Sequence, residues 1–186
     1  KEGPIRIAYI STPHRGLDVL IAAFRAAKFE NVELDVYSSF KIYGWEDKDK
    51  DWEPLYNACK ETPNVNYHGT VSNEEIRTAL QQTHILAYPS VYKETACISA
   101  IEAMSAGCVV VCPNLAVLPE TCANFAWMYG YCEDKSEHAR KFAYVLKDAI
   151  DNFWEPPVQA GLGFQKQYFD MHYDIDTTAK QWTLML

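Results

Sequence analysis

Tyr92-Lys93-Glu94-Thr95-Ala96-Cys97-Ile98-Ser99-Ala100-Ile101-Glu102-Ala103-Met104-Ser105-Ala106-Gly107 separates two apolar runs, Ile85-Leu86-Ala87-Tyr88 before it and Cys108-Val109-Val110-Val111 after it. The first run ends at Pro89-Ser90, a turn signal, so the two runs read as buried strands joined by a single helix. Ligands of open parallel sheets sit beyond the carboxyl ends of the strands, which places the loop from Ser90 to Thr95 at the mouth of a site. The free N–H groups and the dipole of the following helix then favour a phosphate. Glu94 in the loop and Glu102 in the helix, eight positions apart, fall about a diphosphate's width from one another at ~1.5 Å per helical residue. Carboxylates on either side of a diphosphate suit a nucleoside diphosphate-sugar.

Working outward, Ile5-Arg6-Ile7-Ala8-Tyr9-Ile10 reads as a strand that ends at Ser11-Thr12-Pro13, and the segment from Gly16 to Phe24 has helical spacing. Glu33 to Tyr37 is a second strand, followed by a polar and aromatic loop from Ser38 to Asp51 and a helix from Trp52 to Lys60. Val65 to His68 is a short third strand. Ser72 with Glu75 three positions on is a capping box, and Ile76, Ala79 and Leu80 give the helix behind it an apolar face. Beyond the central strands, Leu118-Pro119-Glu120-Thr121 reads as a helix entry and Ala126 to Tyr129 as a sixth strand. Ala139, Phe142, Ala143, Leu146 and Ile150 share one face of a helix from Glu137 to Phe153. Trp154-Glu155-Pro156-Pro157 interrupts it, and the rest reads as one or two helices ending in Thr177 to Leu186. Six strands alternating with helices predict an α/β fold, a doubly wound parallel sheet with right-handed crossovers. No internal repeat is seen.

The chain has 186 residues, 48% of them hydrophobic, enough for one well-buried domain with a terminal appendage. A net charge of -8 argues against broad nucleic-acid binding, which needs a basic footprint. Cys59, Cys97, Cys108, Cys112, Cys122 and Cys132 form no CxxC pair, and no histidine stands at metal-ligand spacing, so reduced, buried thiols and no metal site are expected. Lys1 opens no signal-peptide pattern. The uncharged stretch from Ala103 to Pro119 is broken by Gly107, Pro113 and Asn114, so no transmembrane segment is read, and a cytoplasmic location is expected.

These residues resemble the donor-binding, C-terminal half of the retaining GT-B glycosyltransferases of family four, the glycosyl transferases group 1. The likeness spans roughly Ile5 to Phe153. Glu94, seven intervening residues, Glu102 and the run Ala103 to Val111 reproduce the family's loop-helix motif, and Val117-Leu118-Pro119-Glu120 matches its Leu-Pro-Glu landmark. Arg15-Gly16-Leu17 is similar to the basic residue and glycine that open the first helix, and His68-Gly69-Thr70-Val71 to the loop whose backbone meets the base. The resemblance implies one Rossmann-like half of a GT-B fold. Residues 1-153 would form the nucleotide-sugar-binding domain and 154-186 helices that cross toward an N-terminal domain absent from these residues. It also implies sugar transfer from a nucleoside diphosphate-sugar to an acceptor with retention, incomplete without that domain. Glu94 is then the catalytic carboxylate at the donor sugar, Glu102 grips the ribose and Arg15 neutralises the diphosphate. Gly16, Val71, Thr95, Ala96, Cys97 and Ile98 complete the donor site. Arg15 and a helix N-terminus would serve in place of a divalent metal, and no cofactor is implied.

Thr95, Ala96 and Cys97 stand where the family usually has glycines, Ser38-Ser39 stand where it often has others, and only His14 and Arg15 supply the basic position, with Lys41 or Lys93 as substitutes. These departures motivate a second reading, a non-catalytic nucleotide-sugar-binding or scaffolding domain. A third reading, a GT-B-like nucleotide-sugar epimerase, needs acid-base residues that are not located in this sequence, and a receiver domain needs an acidic cluster that does not follow the first strand here. Several residues have plainer readings. His14 occupies a turn, and His68, His84, His138 and His172 sit at strand ends or the surface. The charges from Glu46 to Asp51 form a solvated run that an acceptor could also meet. Cys97 stands where a helix dipole lowers a thiol pKa, yet it has no histidine partner and reads as structural.

Overall fold

The computed structural model describes residues 3–185. Its six strands are β1 (Ile5–Ile10), β2 (Val32–Tyr37), β3 (Val65–Tyr67), β4 (Ile85–Ala87), β5 (Val109–Asn114) and β6 (Trp127–Gly130). They form one sheet in the order β3-β2-β1-β4-β5-β6, with every pairing parallel. The helices are α1 (Leu17–Ala27), α2 (Glu46–Asp49), α3 (Glu53–Glu61), α4 (Asn73–Leu80), α5 (Ile98–Ser105), α6 (Leu118–Thr121), α7 (Lys135–Asn152), α8 (Pro156–His172) and α9 (Ile175–Met185). The strand order reverses between β1 and β4, which makes their carboxyl ends the topological switch point where a crevice opens.

Burial follows the sequence patterns. The central strands β4 and β5 are continuously apolar because helices cover both faces of the sheet there. In β2 residues alternate between buried Val32, Leu34 and Val36 and half-buried Glu33, Asp35 and Tyr37, so one of its faces is only partly covered. Ser72 caps α4 as expected: its Oγ accepts from Glu75 N at 3.2 Å, and Glu75 Oε2 accepts from Ser72 N at 2.8 Å. The α8 helix lies along α5, where Gln165 Nε2 donates to Met104 O and Cys108 O at 3.2 and 2.8 Å. A buried glutamine thereby satisfies carbonyls left open where α5 ends.

Three expectations change. The segment from Ser38 to Asp51 is not an open loop: Phe40–Tyr43 and Lys50–Trp52 are single 3-10 turns flanking α2. Asp49 causes this, because its carboxylate accepts from Ser39 Oγ at 2.5 Å, Phe40 N at 2.8 Å and the Tyr56 hydroxyl at 2.6 Å. Its neighbours in the charge run are solvated, whereas Asp49 is a structural clasp. On α7 the buried positions are His138, Phe142, Leu146 and Ala149, with Ala139, Ala143 and Ile150 only half-buried beside them. His138 is therefore a core residue, because four positions before Phe142 it falls on the buried face of α7. The last helix is α9, and Leu186 lies outside the described residues.

Candidate functional site

Two loops meet at the switch point. The one leaving β1 turns through a 3-10 helix at Pro13–Arg15 and enters α1 through Gly16, whose φ of +105° is open to glycine. The one leaving β4 passes Pro89 and Ser90, is cinched where Ser90 Oγ accepts from Tyr92 N at 3.1 Å, and reaches Glu94 before entering α5 at Cys97. Gly16 is the point of contact between the loops. A Cβ there would stand 2.1 Å from the carbonyl oxygen of Pro89, so the two backbones approach only because residue 16 has no side chain.

Glu94 is nearly inaccessible, with 9% of its surface exposed. A buried carboxylate needs partners. Its Oε1 accepts from the Tyr88 hydroxyl at 2.6 Å and lies 2.9 Å from Arg15 Nε. The Arg15 contact is an ion pair rather than a directed hydrogen bond, since the Nε–H finds no acceptor among the described residues. Arg15 Nη1 donates to Thr12 Oγ1 at 3.1 Å and reaches the Tyr43 hydroxyl at 3.5 Å, while its guanidinium lies 5.1 Å from the centre of the Tyr92 ring. Burial alone would weaken the proton's hold on Arg15, but the Tyr43 contact and the Glu94 charge outweigh it and raise its pKa.

Beside this pair lie two hollows that share Ser11, Arg15, Tyr43, Ile98 and Ser99. The smaller, of about 200 Å³, is walled by Tyr88, Glu94, Ala96 and Cys97. The larger, of about 290 Å³, extends past Glu102 to Gly69, Thr70 and Val71. Side by side on these shared walls, they trace a path from Glu94, over the start of α5 and past Glu102, to the loop after β3. At the start of a helix the first backbone N–H groups have no intrahelical acceptor, here those of Ile98 and Ser99 on the wall common to both hollows. A further hollow of about 390 Å³ lies against α4 and the half-covered face of β2. Asp35, Glu74 and Glu75 line it, and its Arg6 is engaged by Gln82 at 2.6 Å, which makes it a poor seat for an anion.

Of the residues singled out from the sequence, Arg15, Ile98, Glu102 and Val71 line the larger hollow, and Arg15, Glu94, Ala96, Cys97 and Ile98 the smaller. Gly16 and Thr95 line neither. Gly16 is buried under Pro89, and Thr95 is exposed. Neither Lys41 nor Lys93 enters these hollows, and Lys41 pairs with Glu46 at 3.4 Å. Glu102 is half-buried, because α5 turns Ala100, Ala103 and Met104 toward the core and leaves Ile98 67% exposed. A dipole-lowered Cys97 thiol does not occur, since burial pushes its pKa up to about 12. His14 is stacked on Phe40 with ring centres 5.3 Å apart, and burial followed by the nearby Arg15 charge lowers its pKa. Tyr43 and Tyr88 were not legible as site residues, since each reaches its partner through tertiary structure.

A six-stranded parallel sheet with helices on its faces and a crevice at its switch point is a Rossmann-like α/β domain, matching one half of a GT-B glycosyltransferase. Residues 5–156 match the model of the family described as "Glycosyl transferases group 1", and the chain belongs to that family. The O-antigen chain mannosyltransferase B of Escherichia coli is 31% identical over 163 residues, covering 86% of this chain and 41% of that protein. Among solved structures, Anabaena HepE in complex with UDP-glucose superposes with a TM-score of 0.73 at 16% identity, over 98% of this chain and 48% of that one. Sucrose-phosphate synthase from Thermosynechococcus elongatus gives a TM-score of 0.70 at 16% identity, over 100% of this chain and 47% of that one. The chain thus spans less than half the length of these relatives.

Proposed function

We propose that this chain is the donor-binding half of a retaining hexosyltransferase that takes its sugar from a nucleoside diphosphate. The observation that carries the reading is the path just described, in which Glu94, Arg15, the start of α5 and Glu102 follow one another in the order sugar, diphosphate, ribose. The base then lies at Gly69 to Val71, where the larger hollow ends. Arg15 and the Ile98 and Ser99 N–H groups stabilise the departing diphosphate in place of a metal ion or other cofactor. The mannosyltransferase relative and the UDP-glucose complex of HepE agree with a hexose on a nucleoside diphosphate.

The acceptor site belongs to an N-terminal GT-B domain outside these residues, and the division at residues 153 and 154 separates the sheet domain from helices directed toward it. Exposed Phe164, Met171, Ile175 and Trp182 on α8 and α9 support that role. Among the described residues no helix is long and apolar enough to cross a membrane, in keeping with a cytoplasmic location. Calorimetric titration with UDP, GDP and ADP, without metal, tests the reading. One diphosphate binds, and Glu102→Ala weakens it at least about tenfold, the worth of one charged hydrogen bond. Binding of none sinks the donor-site reading and favours a scaffolding domain, consistent with Thr95, Ala96 and Cys97 in place of glycines.

A further inference from the structure

Tyr88 is the last residue before the turn that leaves β4, and its ring is almost completely buried at 2% exposure. It is held against Tyr9 of the neighbouring strand, with ring centres 6.3 Å apart and planes inclined by 27°. Tyr9 is itself fixed, donating its hydroxyl to Thr12 O at 2.9 Å. A side chain clamped this way has no rotamer freedom left, so its hydroxyl is a fixed point in space. That point is 2.6 Å from Glu94 Oε1.

The contacts on Glu94 are unequal. Both Tyr88 and Arg15 address Oε1, whereas Oε2 receives no hydrogen bond from the described residues, and Glu94 lines the smaller hollow. A carboxylate on a loop can turn about its terminal bond through a broad range. Two contacts on one oxygen remove that freedom and leave the other oxygen free to accept a hydroxyl from a ligand. Arg15 alone cannot set the angle, because its Nε–H is not directed at Oε1.

We infer that Tyr88 is a positioning residue which, through its hydroxyl, sets the rotation of the Glu94 carboxylate so that Oε2 faces the donor sugar. This inference rests on the proposed role of Glu94. It concerns only the sugar end of the donor, since Tyr88 lines the small hollow and not the larger one that holds Glu102. The hydroxyl matters and the ring does not, so the phenylalanine variant separates positioning from packing.

The test compares UDP with UDP-glucose, GDP with GDP-mannose and ADP with ADP-glucose, for the unsubstituted chain, Y88F and E94Q. For the pair that binds, Y88F is expected to weaken the sugar nucleotide about tenfold, as for loss of one charge-assisted contact, while the diphosphate changes by less than about twofold. If Y88F binds both like the unsubstituted chain while E94Q loses the advantage conferred by the sugar, Tyr88 merely packs and the inference is overturned. Equal weakening of both ligands by Y88F overturns it as well. If E94Q keeps the sugar's advantage, or no pair binds, the proposed role of Glu94 fails first. The unsubstituted chain offers a check that needs no stable variant. The Tyr88 hydroxyl proton, bonded to a carboxylate away from water, is expected as a slowly exchanging downfield resonance that E94Q shifts, and its absence overturns the inference.

Discussion

Arg15 and Glu94 hold one another across the gap between the loops that leave β1 and β4, with Nε 2.9 Å from Oε1. The cation proposed to receive the diphosphate is thus already partnered by the carboxylate proposed to hold the sugar. An incoming donor meets a neutralised pair rather than a bare positive charge, and only a ligand with a group for each member satisfies both.

Glu94→Gln is therefore expected to act in opposite directions on two ligands. The amide removes a negative charge beside Arg15, so a nucleoside diphosphate should bind a few-fold more tightly, about 2–5-fold at the effective dielectric of a partly exposed site. The sugar nucleotide should bind less tightly, because the hydroxyl acceptor at Glu94 becomes a weaker, neutral one. Calorimetry with both ligands decides the matter. A parallel change in the two affinities would rule out a Glu94 that faces the sugar and opposes the phosphates.

Gly16→Ala should unfold the site before it alters any contact with ligand. The new Cβ would meet Pro89 O at 2.1 Å and its carbonyl carbon at 2.9 Å, both backbone atoms, in a residue whose φ is +105°. Left-handed strain and overpacking together place the cost at about 3 kcal/mol or more. For a chain of this size that lowers the melting temperature by about 10 °C. A variant that melts within about 2 °C of the unsubstituted chain would mean the two loops do not meet as described.

How much of this was legible in the sequence depends on how local each signal is. The six strands and their order of helices follow from short apolar runs and turn residues, and the Ser72–Glu75 box from spacing alone. Arg15, Glu94 and Glu102 were legible because each lies in a contiguous motif next to a strand end. Tyr88 bonding to Glu94 six positions on, and Tyr43 reaching Arg15 across 28 positions, are set by the folded loop and the neighbouring strand, which no periodicity encodes. Asp49 is hidden by the charges around it. Cys97 misleads because a helix start and a buried site pull a thiol pKa in opposite directions, and burial wins.

Thiol reactivity should report that burial. Cys59, Cys97, Cys108, Cys112 and Cys122 are buried, and Cys132 is half-exposed. Burial pushes the pKa up to about 11 for Cys59 and to about 12 for Cys97 and Cys108. With the thiolate as the reactive species, the folded chain at neutral pH should give one fast equivalent with an aromatic disulfide reagent, from Cys132, and all six in denaturant. Cys132→Ser should abolish the fast phase. A fast phase that survives it would mean that one of the five buried thiols is open to solvent.

Stability should fall on mild acidification, and His138 should account for much of the fall. Its ring is fully buried in α7, with Nε2 3.3 Å from Pro89 O and 3.2 Å from the Tyr129 hydroxyl, while Nδ1 is buried without a partner among the described residues. Pro89 O can only accept, so Nε2 carries the proton, and a charged ring would add a second proton at Nδ1 where nothing receives it. Burial accordingly lowers the His138 pKa from 6.5, as it does for half-buried His14 and His84, whose contributions water screens more strongly. A lowered folded pKa means that the unfolded chain binds more protons below pH 6.5. Stability is thus full above that value and drains away as pH falls, by at most about 1.4 kcal/mol per pH unit for each histidine. Lysine, aspartate and glutamate titrate outside the interval from about pH 6.5 to 5, which isolates the histidines. His138→Phe should be less stable at pH 7.5 by about 1–3 kcal/mol, having left Pro89 O without its donor. It should also lose less stability than the unsubstituted chain on going to pH 5.5, as urea unfolding would measure. An unchanged slope would show that His138 is already free to take up a proton in the folded state.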